Sequence, residues 1–177
     1  MTAFRFALLL AALGCLTLAS GQLSINELVA SNSMLQDDPD FERSSDVVEL
    51  YNAGGTALDL SGWHLTDNFN DTTKWTFPDG TAIAAGGFLL VWCDGENTEG
   101  AQLHSSFKLS SIGEELAVYD AAGQWVDGVT FPSQSSDISY GRTTDGASEW
   151  SWFDTPTIGT SNATATAYSG IDRKSVV

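Results

Sequence analysis

The chain has 177 residues, of which 23 are acidic and 7 are basic, and its formal net charge at pH 7 is −16. This length is enough for one domain with a sizeable hydrophobic core. So strong a negative charge argues against nucleic acid and anionic membrane surfaces as partners, because those partners are themselves anionic.

The N-terminal segment has the pattern of a secretory signal peptide. Arg5 is the only charged residue before Glu27, and an almost unbroken apolar run extends from Phe6 to Leu18. The run is too short to span a bilayer as a helix, and the small residues after it are typical of a peptidase cleavage site. We therefore expect residues 1–21 to be removed, the mature protein to be secreted, and no membrane contact to remain after removal of the signal.

The two cysteines are not expected to form a disulfide in such a secreted chain. Cys15 lies in the signal segment, and Cys93 ends the apolar run Phe88–Cys93. That run is apolar on both faces, which indicates a central strand covered on each side. We expect Cys93 to be a buried, unpaired thiol, and packing alone to hold the fold.

The chain between the signal peptide and about residue 162 predicts a series of short β-strands. These segments are rich in β-branched and aromatic residues and are separated by glycine-containing turns. The expected strands are 22–31, 46–52, 56–60, 63–67, 73–78, 81–84, 88–93, 106–109, 115–120, 125–131 and 137–142. Such spacing is typical of an all-β sandwich or barrel. Residues 163–177 show no periodicity and are predicted to be a disordered tail.

Motifs along these strands resemble the lamin-tail domain family, in its secreted, mostly bacterial branch. They include Ile25-Asn26-Glu27, Val48-Glu49-Leu50-Tyr51-Asn52, Leu58-Asp59-Leu60-Ser61-Gly62-Trp63, Lys74-Trp75-Thr76-Phe77-Pro78, Ser139-Tyr140-Gly141-Arg142 and Thr155-Pro156. The motifs cover about 22–162 in the expected order. The resemblance implies an immunoglobulin-like β-sandwich that serves as an accessory or interaction module.

An acidic segment between the first two long predicted strands is the candidate metal site. Counted from Asp38, oxygen-bearing side chains fall at the spacing of a calcium loop, and packed carboxylates repel one another without a cation. The candidate calcium ligands are Asp38, Asp40, Glu42, Asp46 and Glu49. Arg43 stands where that loop requires glycine, and Pro39 stiffens the segment. A solvated acidic loop is therefore the favoured interpretation, and a weak calcium site on a different backbone is the alternative.

The tryptophans allow a structural and a functional interpretation. The favoured interpretation places four of them in the core, Trp63, Trp75, Trp92 and Trp125. It packs the other two, Trp150 and Trp152, against the last strand. Large aromatic side chains are the natural filling for a core without disulfides. The alternative is a glycan-binding surface in which the segment 150–153 exposes a ring.

The sequence contains no complete catalytic motif. His64 and His104 lie far apart without metal-ligand spacing, and no nucleophile elbow or phosphate-binding glycine loop is present. The first hypothesis is a secreted, monomeric, non-catalytic module with a binding or structural role, whose partner is an extracellular protein or a cell-surface glycan, assisted by calcium. The alternative is an unrecognised secreted hydrolase that gathers perturbed acidic residues in one cleft.

Overall fold

A computed structural model describes residues 21–97 and 100–168 of the chain. Residues 1–20 of the predicted signal peptide and the last nine residues of the predicted tail, 169–177, lie outside the described residues. No helix in the described part of the chain is long and apolar enough to cross a membrane.

Fifteen short strands and one 3-10 helix make up the regular structure of the described ranges. The strands are β1 (Leu23–Val29), β2 (Asp37–Asp38), β3 (Arg43–Ser44), β4 (Asp46–Asn52), β5 (Leu58–Asp59), β6 (His64–Thr66), β7 (Trp75–Thr76), β8 (Ala82–Ile83), β9 (Phe88–Cys93), β10 (Leu103–His104), β11 (Gly113–Tyr119), β12 (Trp125–Pro132), β13 (Ser139–Arg142), β14 (Trp150–Thr155) and β15 (Thr166–Ala167). The 3-10 helix is Asn162–Thr164. Regular structure therefore continues past residue 162, the predicted end of the domain.

The strands form two main sheets. The larger has seven strands in the order β10-β9-β4-β1-β13-β14-β15, and the smaller has four in the order β12-β11-β6-β7. Two further ribbons pair β2 with β3 and β5 with β8. Strand β10 runs parallel to β9, whereas β4 pairs with both β1 and β9 in antiparallel fashion. The predicted all-β fold is confirmed.

The main hydrophobic core contains residues from both large sheets. Its buried members include Ile25, Leu50 and Val91 from the seven-stranded sheet and Leu65, Leu116 and Val118 from the four-stranded sheet. Each fully buried aliphatic side chain of this size contributes about 1.5–3 kcal/mol to stability. Two sheets joined by a common core define a β-sandwich, in agreement with the predicted architecture.

Three of the four tryptophans predicted for the interior are buried. Trp63 and Trp75 lie in the main core, and Trp92 is 1% exposed in a second cluster. Gly62 adopts a φ of 73° immediately before Trp63, a conformation that favours glycine. The prediction for Trp125 is wrong, because this residue lies on the edge strand β12 and is 48% exposed.

The outer face of the seven-stranded sheet is also covered. Val29, Val47 and Trp92 form a second apolar cluster there, against which Ile158 packs. Side chains alternate between the two faces of a strand, and covering both faces accounts for the continuous apolar run in β9. Cys93, at the end of that run, is buried and unpaired, and burial raises the pKa of its thiol. This agrees with the predicted inert thiol.

Candidate functional site

Four titratable side chains from three segments meet at the β9–β10 side of the large sheet. The β2–β3 ribbon carries Asp38 and, in its turn, Asp40. Asp94 directly follows β9, and His104 ends β10, where it pairs with Trp92 of β9. We call Asp38, Asp40, Asp94 and His104 the His104 cluster.

The imidazole of His104 lies between the three carboxylates. Its Nδ1 atom is 3.1 Å from Oδ2 of Asp94 and 3.6 Å from Oδ2 of Asp38. Its Nε2 atom is 3.2 Å from Oδ2 of Asp40. The side chains of His104 and Asp38 are both inaccessible to solvent, and the ring of Phe41 contacts the imidazole edge-on at 5.0 Å between centroids.

Backbone N–H groups fix the orientation of the carboxylates. Asp38 accepts a hydrogen bond on Oδ1 from the N–H of Asp40 at 2.9 Å, and Asp94 accepts one on Oδ1 from the N–H of Glu96 at 3.1 Å. Asp40 accepts one on Oδ2 from the N–H of Gln102 at 2.8 Å. Oδ2 of Asp38 has no hydrogen-bond partner among the described residues.

Burial and neighbouring charges have opposite effects on the pKa values in the His104 cluster. Burial opposes a charge on His104, but hydrogen bonds with Asp40 and Asp94 and the charge of Asp38 outweigh it, so the pKa of His104 is raised. The hydrogen bond from Gln102, followed by that from His104, lowers the pKa of Asp40.

Two of the predicted calcium ligands belong to the His104 cluster, and the other three lie apart from it. Glu42 is exposed in the β2–β3 turn with a φ of 51°. Asp46 begins β4, and burial raises its pKa to about 6. Glu49, in the same strand, is fully buried and hydrogen-bonded to Asn26. Because side chains alternate along a strand, Asp46 and Glu49 point to opposite faces of the sheet. The predicted set of five therefore does not form one group.

A second group of carboxylates lies beneath the C-terminal segment. Glu27 of β1 and Glu49 of β4 are directly opposite each other in the ladder, next to a β-bulge between Ile25 and Glu27. Thr157 donates to Glu27 from its N–H at 3.0 Å and from its hydroxyl at 2.7 Å. The N–H of Gly159 donates to Glu49 at 2.6 Å. We call Glu27 and Glu49 the buried glutamate pair.

Asp145 extends this network to the 3-10 helix. Its carboxylate accepts hydrogen bonds from the Ser161 hydroxyl at 2.5 Å and from the N–H of Asn162 at 2.8 Å. Burial raises the pKa of Glu49 to about 8, and the charges of Glu27 and Asp145 act in the same direction. Burial likewise raises the pKa of Glu27. The pair binds the closing segment 157–162 to the outer face of the sheet.

One exposed indole, packed on a buried and a half-buried ring, lies at the edge of the smaller sheet. The indole of Trp125 contacts the rings of Phe69 and Tyr119 in edge-to-face geometry, at 5.1 and 5.5 Å between centroids. The indole also lies against Gly128, where a Cβ atom would clash with it. We call Trp125, Phe69 and Tyr119 the Trp125 patch.

The rings of the segment 150–153 are less open than those of the Trp125 patch. Trp150 and Trp152 each stack or tilt against Tyr140, at 5.1 and 4.7 Å between centroids. Both indoles are half-buried, and Phe153 is fully buried. The predicted packing of these tryptophans on the last strand agrees with this arrangement.

Sequence reasoning missed Asp94 and His104 as site residues. They are separated from Asp38 by many residues, and only the pairing of β10 with β9 brings them to the β2–β3 ribbon. The sequence signal available was the rarity of histidine, since the chain has 2. Spacing alone could not reveal a contact that depends on strand order.

The architecture defines an immunoglobulin-like β-sandwich in which two large sheets share one core. A family model described as Lamin Tail Domain matches residues 17–133, about two-thirds of the chain. The chain therefore belongs to the lamin tail domain family. The closing segment that covers the buried glutamate pair lies beyond the matched range. A comparison with curated proteins finds no match.

Proposed function

We propose that this chain is a secreted, non-catalytic lamin-tail module that binds a neutral cell-surface glycan. The observation that carries the proposal is the Trp125 patch, in which an indole on an edge strand is 48% exposed. Exposed aromatic patches favour ligand binding, because a large ring offers a broad apolar surface at a small cost in conformational entropy.

The patch has a fixed shape before any ligand binds. Phe69 and Tyr119 support the indole from two directions, and Gly128 lets it lie close to the backbone of β12. A rigid surface loses little entropy on binding, so more of the contact energy remains as affinity. This geometry suits the flat apolar face of a sugar ring.

The net charge narrows the class of glycan. At −16, the chain repels uronates, phosphates and other anionic polymers over the range set by the Debye length. A neutral oligosaccharide meets no such barrier. The apolar pattern of residues 1–21 supports secretion, which would bring the domain to cell-surface glycans.

The positions of the perturbed acids favour a binding module over the alternative hydrolase. Glu27 and Glu49 have raised pKa values, but both are fully buried beneath the closing segment. Their oxygens accept hydrogen bonds from Thr157, Gly159 and Asn26. A general acid must reach its substrate, whereas these two carboxyl groups contact their own chain.

The test is a calorimetric titration of the exported protein with neutral oligosaccharides, followed by the Trp125→Ala variant. Loss of the central ring is expected to weaken binding at least tenfold, equivalent to about 1.4 kcal/mol. Ile112→Ala is the matched control, because Ile112 is 82% exposed and directly precedes β11 at the opposite end of the β11–β12 ladder. Its affinity should be unchanged.

Two results would contradict the proposal. One is the absence of binding to any neutral oligosaccharide at millimolar concentration. The other is an affinity that Trp125→Ala leaves intact, which would move the binding surface elsewhere on the domain.

A further inference from the structure

Three side chains of the His104 cluster present one ligand atom each to a common point. The ligand atoms of Asp38, Asp94 and His104 all lie within 4.8 Å of one another, and all three residues are buried. Nδ1 of His104 is 3.1 Å from Asp94 and 3.6 Å from Asp38. Ligands at 2.0–2.2 Å from a tetrahedral metal ion are separated by roughly 3.3–3.6 Å. The two separations from Nδ1 are close to this range.

The unused oxygen of Asp38 is a second, independent indication of a ligand. Asp38 is 0% exposed, and its Oδ2 atom has no hydrogen-bond partner among the described residues. Its other oxygen is already engaged by the N–H of Asp40. A buried carboxylate oxygen without a hydrogen bond is costly, and the imidazole at 3.6 Å is too distant to supply one, so the protein gains if a cation binds there.

The two oxygens of the Asp94 carboxylate also have different partners. Oδ1 accepts the N–H of Glu96, while Oδ2 faces the imidazole. Two carboxylates thus use one oxygen to fix their orientation and direct the other towards Nδ1 of His104.

Asp40 is placed to set the tautomer of the imidazole. Its Oδ2 atom is 3.2 Å from Nε2 of His104 and is itself held by the N–H of Gln102. With a metal ion bound, a proton on Nε2 donated to Asp40 would leave the Nδ1 lone pair free for the ion, in place of the contact that Nδ1 makes with Asp94. Such a carboxylate–histidine pair is the usual support of a metal-bound imidazole.

A divalent ion would balance the local charge. Three carboxylates face the imidazole, and the guanidinium of Arg43 lies 3.3 Å from Asp94. Arg43 makes a shorter contact, at 2.6 Å, with the exposed Glu96. A dication together with Arg43 neutralises the three carboxylates while the imidazole stays uncharged.

We propose that Asp38, Asp94 and His104 bind a divalent transition-metal ion of the Zn²⁺ class, with Asp40 as a positioning residue. An imidazole nitrogen beside two carboxylates suits Zn²⁺ and its neighbours, whereas Ca²⁺ selects oxygen ligands alone. His104 also lies next to a cleft of about 730 Å³, which it lines together with Gly100 and Gln102. This site is independent of the Trp125 patch.

The proposal is tested by calorimetric titration of the exported, chelator-treated protein with Zn²⁺, and with Ca²⁺ and Mg²⁺ at the same ionic strength. One equivalent of Zn²⁺ is expected to bind at least a hundredfold more tightly than Ca²⁺. Asp38→Asn and His104→Gln should weaken Zn²⁺ binding at least a hundredfold, and Asp40→Asn by about 10–100-fold. His64→Gln is the matched control, since His64 lies on β6 and its ring contacts Thr76. Its Zn²⁺ affinity should match the wild type.

A measurement on the wild type keeps the proposal testable if a variant fails to fold. The ¹⁵N spectrum of the His104 ring should show Nε2 protonated and Nδ1 shifted by Zn²⁺, and Co²⁺ should give the visible absorption of a tetrahedral site. Zn²⁺ affinity no higher than that for Ca²⁺, undiminished affinity in a folded His104→Gln variant, or protons on both ring nitrogens at saturating Zn²⁺ would each overturn it.

Discussion

The two buried carboxylate groups of this domain differ in what satisfies their oxygens. In the buried glutamate pair, N–H and hydroxyl groups of Thr157 and Gly159 donate to Glu27 and Glu49. In the His104 cluster, an oxygen of Asp38 has no hydrogen-bond partner among the described residues. Burial of polar groups is tolerated where partners are supplied. From this comparison we infer that the buried glutamate pair stabilises the fold and that the His104 cluster binds a ligand.

The largest expected effect comes from breaking the group that belongs to the fold. Glu27→Ala leaves the buried N–H of Thr157 without an acceptor, and its hydroxyl keeps only Oδ1 of Asn162 as an acceptor. Buried donors without partners cost about 1–3 kcal/mol each, so we expect a loss of roughly 3–5 kcal/mol, which also includes the cavity.

Urea unfolding at constant m-value measures this loss. The matched control is Glu42→Ala, which removes an exposed glutamate and should change stability by less than about 0.5 kcal/mol. A Glu27→Ala variant as stable as Glu42→Ala would show that the closing segment is not held by the glutamate pair.

The second prediction concerns the pH dependence of stability. Burial raises the pKa of Glu49 to about 8, with Glu27 and Asp145 acting in the same direction. A carboxyl group with a raised folded-state pKa retains its proton in the fold while the unfolded chain has lost it. The contribution of Glu49 to stability is therefore fully present below the unfolded pKa near 4.5 and is lost as pH rises through about 8.

The direction of this pH dependence is tested by measuring unfolding free energies at several pH values between about 5 and 8.5, an interval that spans these pKa values. The wild type should lose at least about 1 kcal/mol across the interval. Glu49→Gln, which keeps a neutral side chain of the same size, should flatten the dependence. A residual slope of the same sign is expected in both proteins from Asp46, whose pKa is about 6, and from Glu27 and His104, whose pKa values are also raised. Stability that rises with pH in the wild type would contradict the prediction.

The general architecture was predictable because it depends on local patterns. Alternating apolar residues, glycine turns and the motif at 48–52 indicate strands and a sandwich without any knowledge of their order. The apolar run Phe88–Cys93 likewise predicted a strand buried on both faces, with a buried thiol at its end. Family membership followed from the same motifs.

The sites were less predictable because they depend on strand order and on the phase of each strand. The acidic spacing singled out Asp38 and Asp40, which lie in one cluster. Asp94 and His104, which complete that cluster, are brought to it by β9 and β10. Glu49 fits the spacing of a calcium loop, but its side chain lies on the face of the sheet opposite to that of Asp46, because side chains alternate along β4. Trp125 is exposed because β12 is an edge strand, and the composition of a strand does not reveal whether it has one neighbour or two.

The smallest expected effect on stability comes from Arg43, which links the His104 cluster to solvent. Its side chain is 44% exposed and pairs with Asp94 and Glu96. Exposed ion pairs contribute about 0–1 kcal/mol, so Arg43→Met should hardly change the unfolding free energy.

The same change removes a cation that repels a metal ion and competes for Oδ2 of Asp94. Zn²⁺ affinity, measured by calorimetry, should therefore rise several-fold, with Lys74→Met as a control that removes a distant cation paired with Asp67. A fall in Zn²⁺ affinity on Arg43→Met would mean that the guanidinium holds Asp94 in its binding orientation. An equal rise in affinity in Arg43→Met and Lys74→Met would mean that only the net charge of the protein matters.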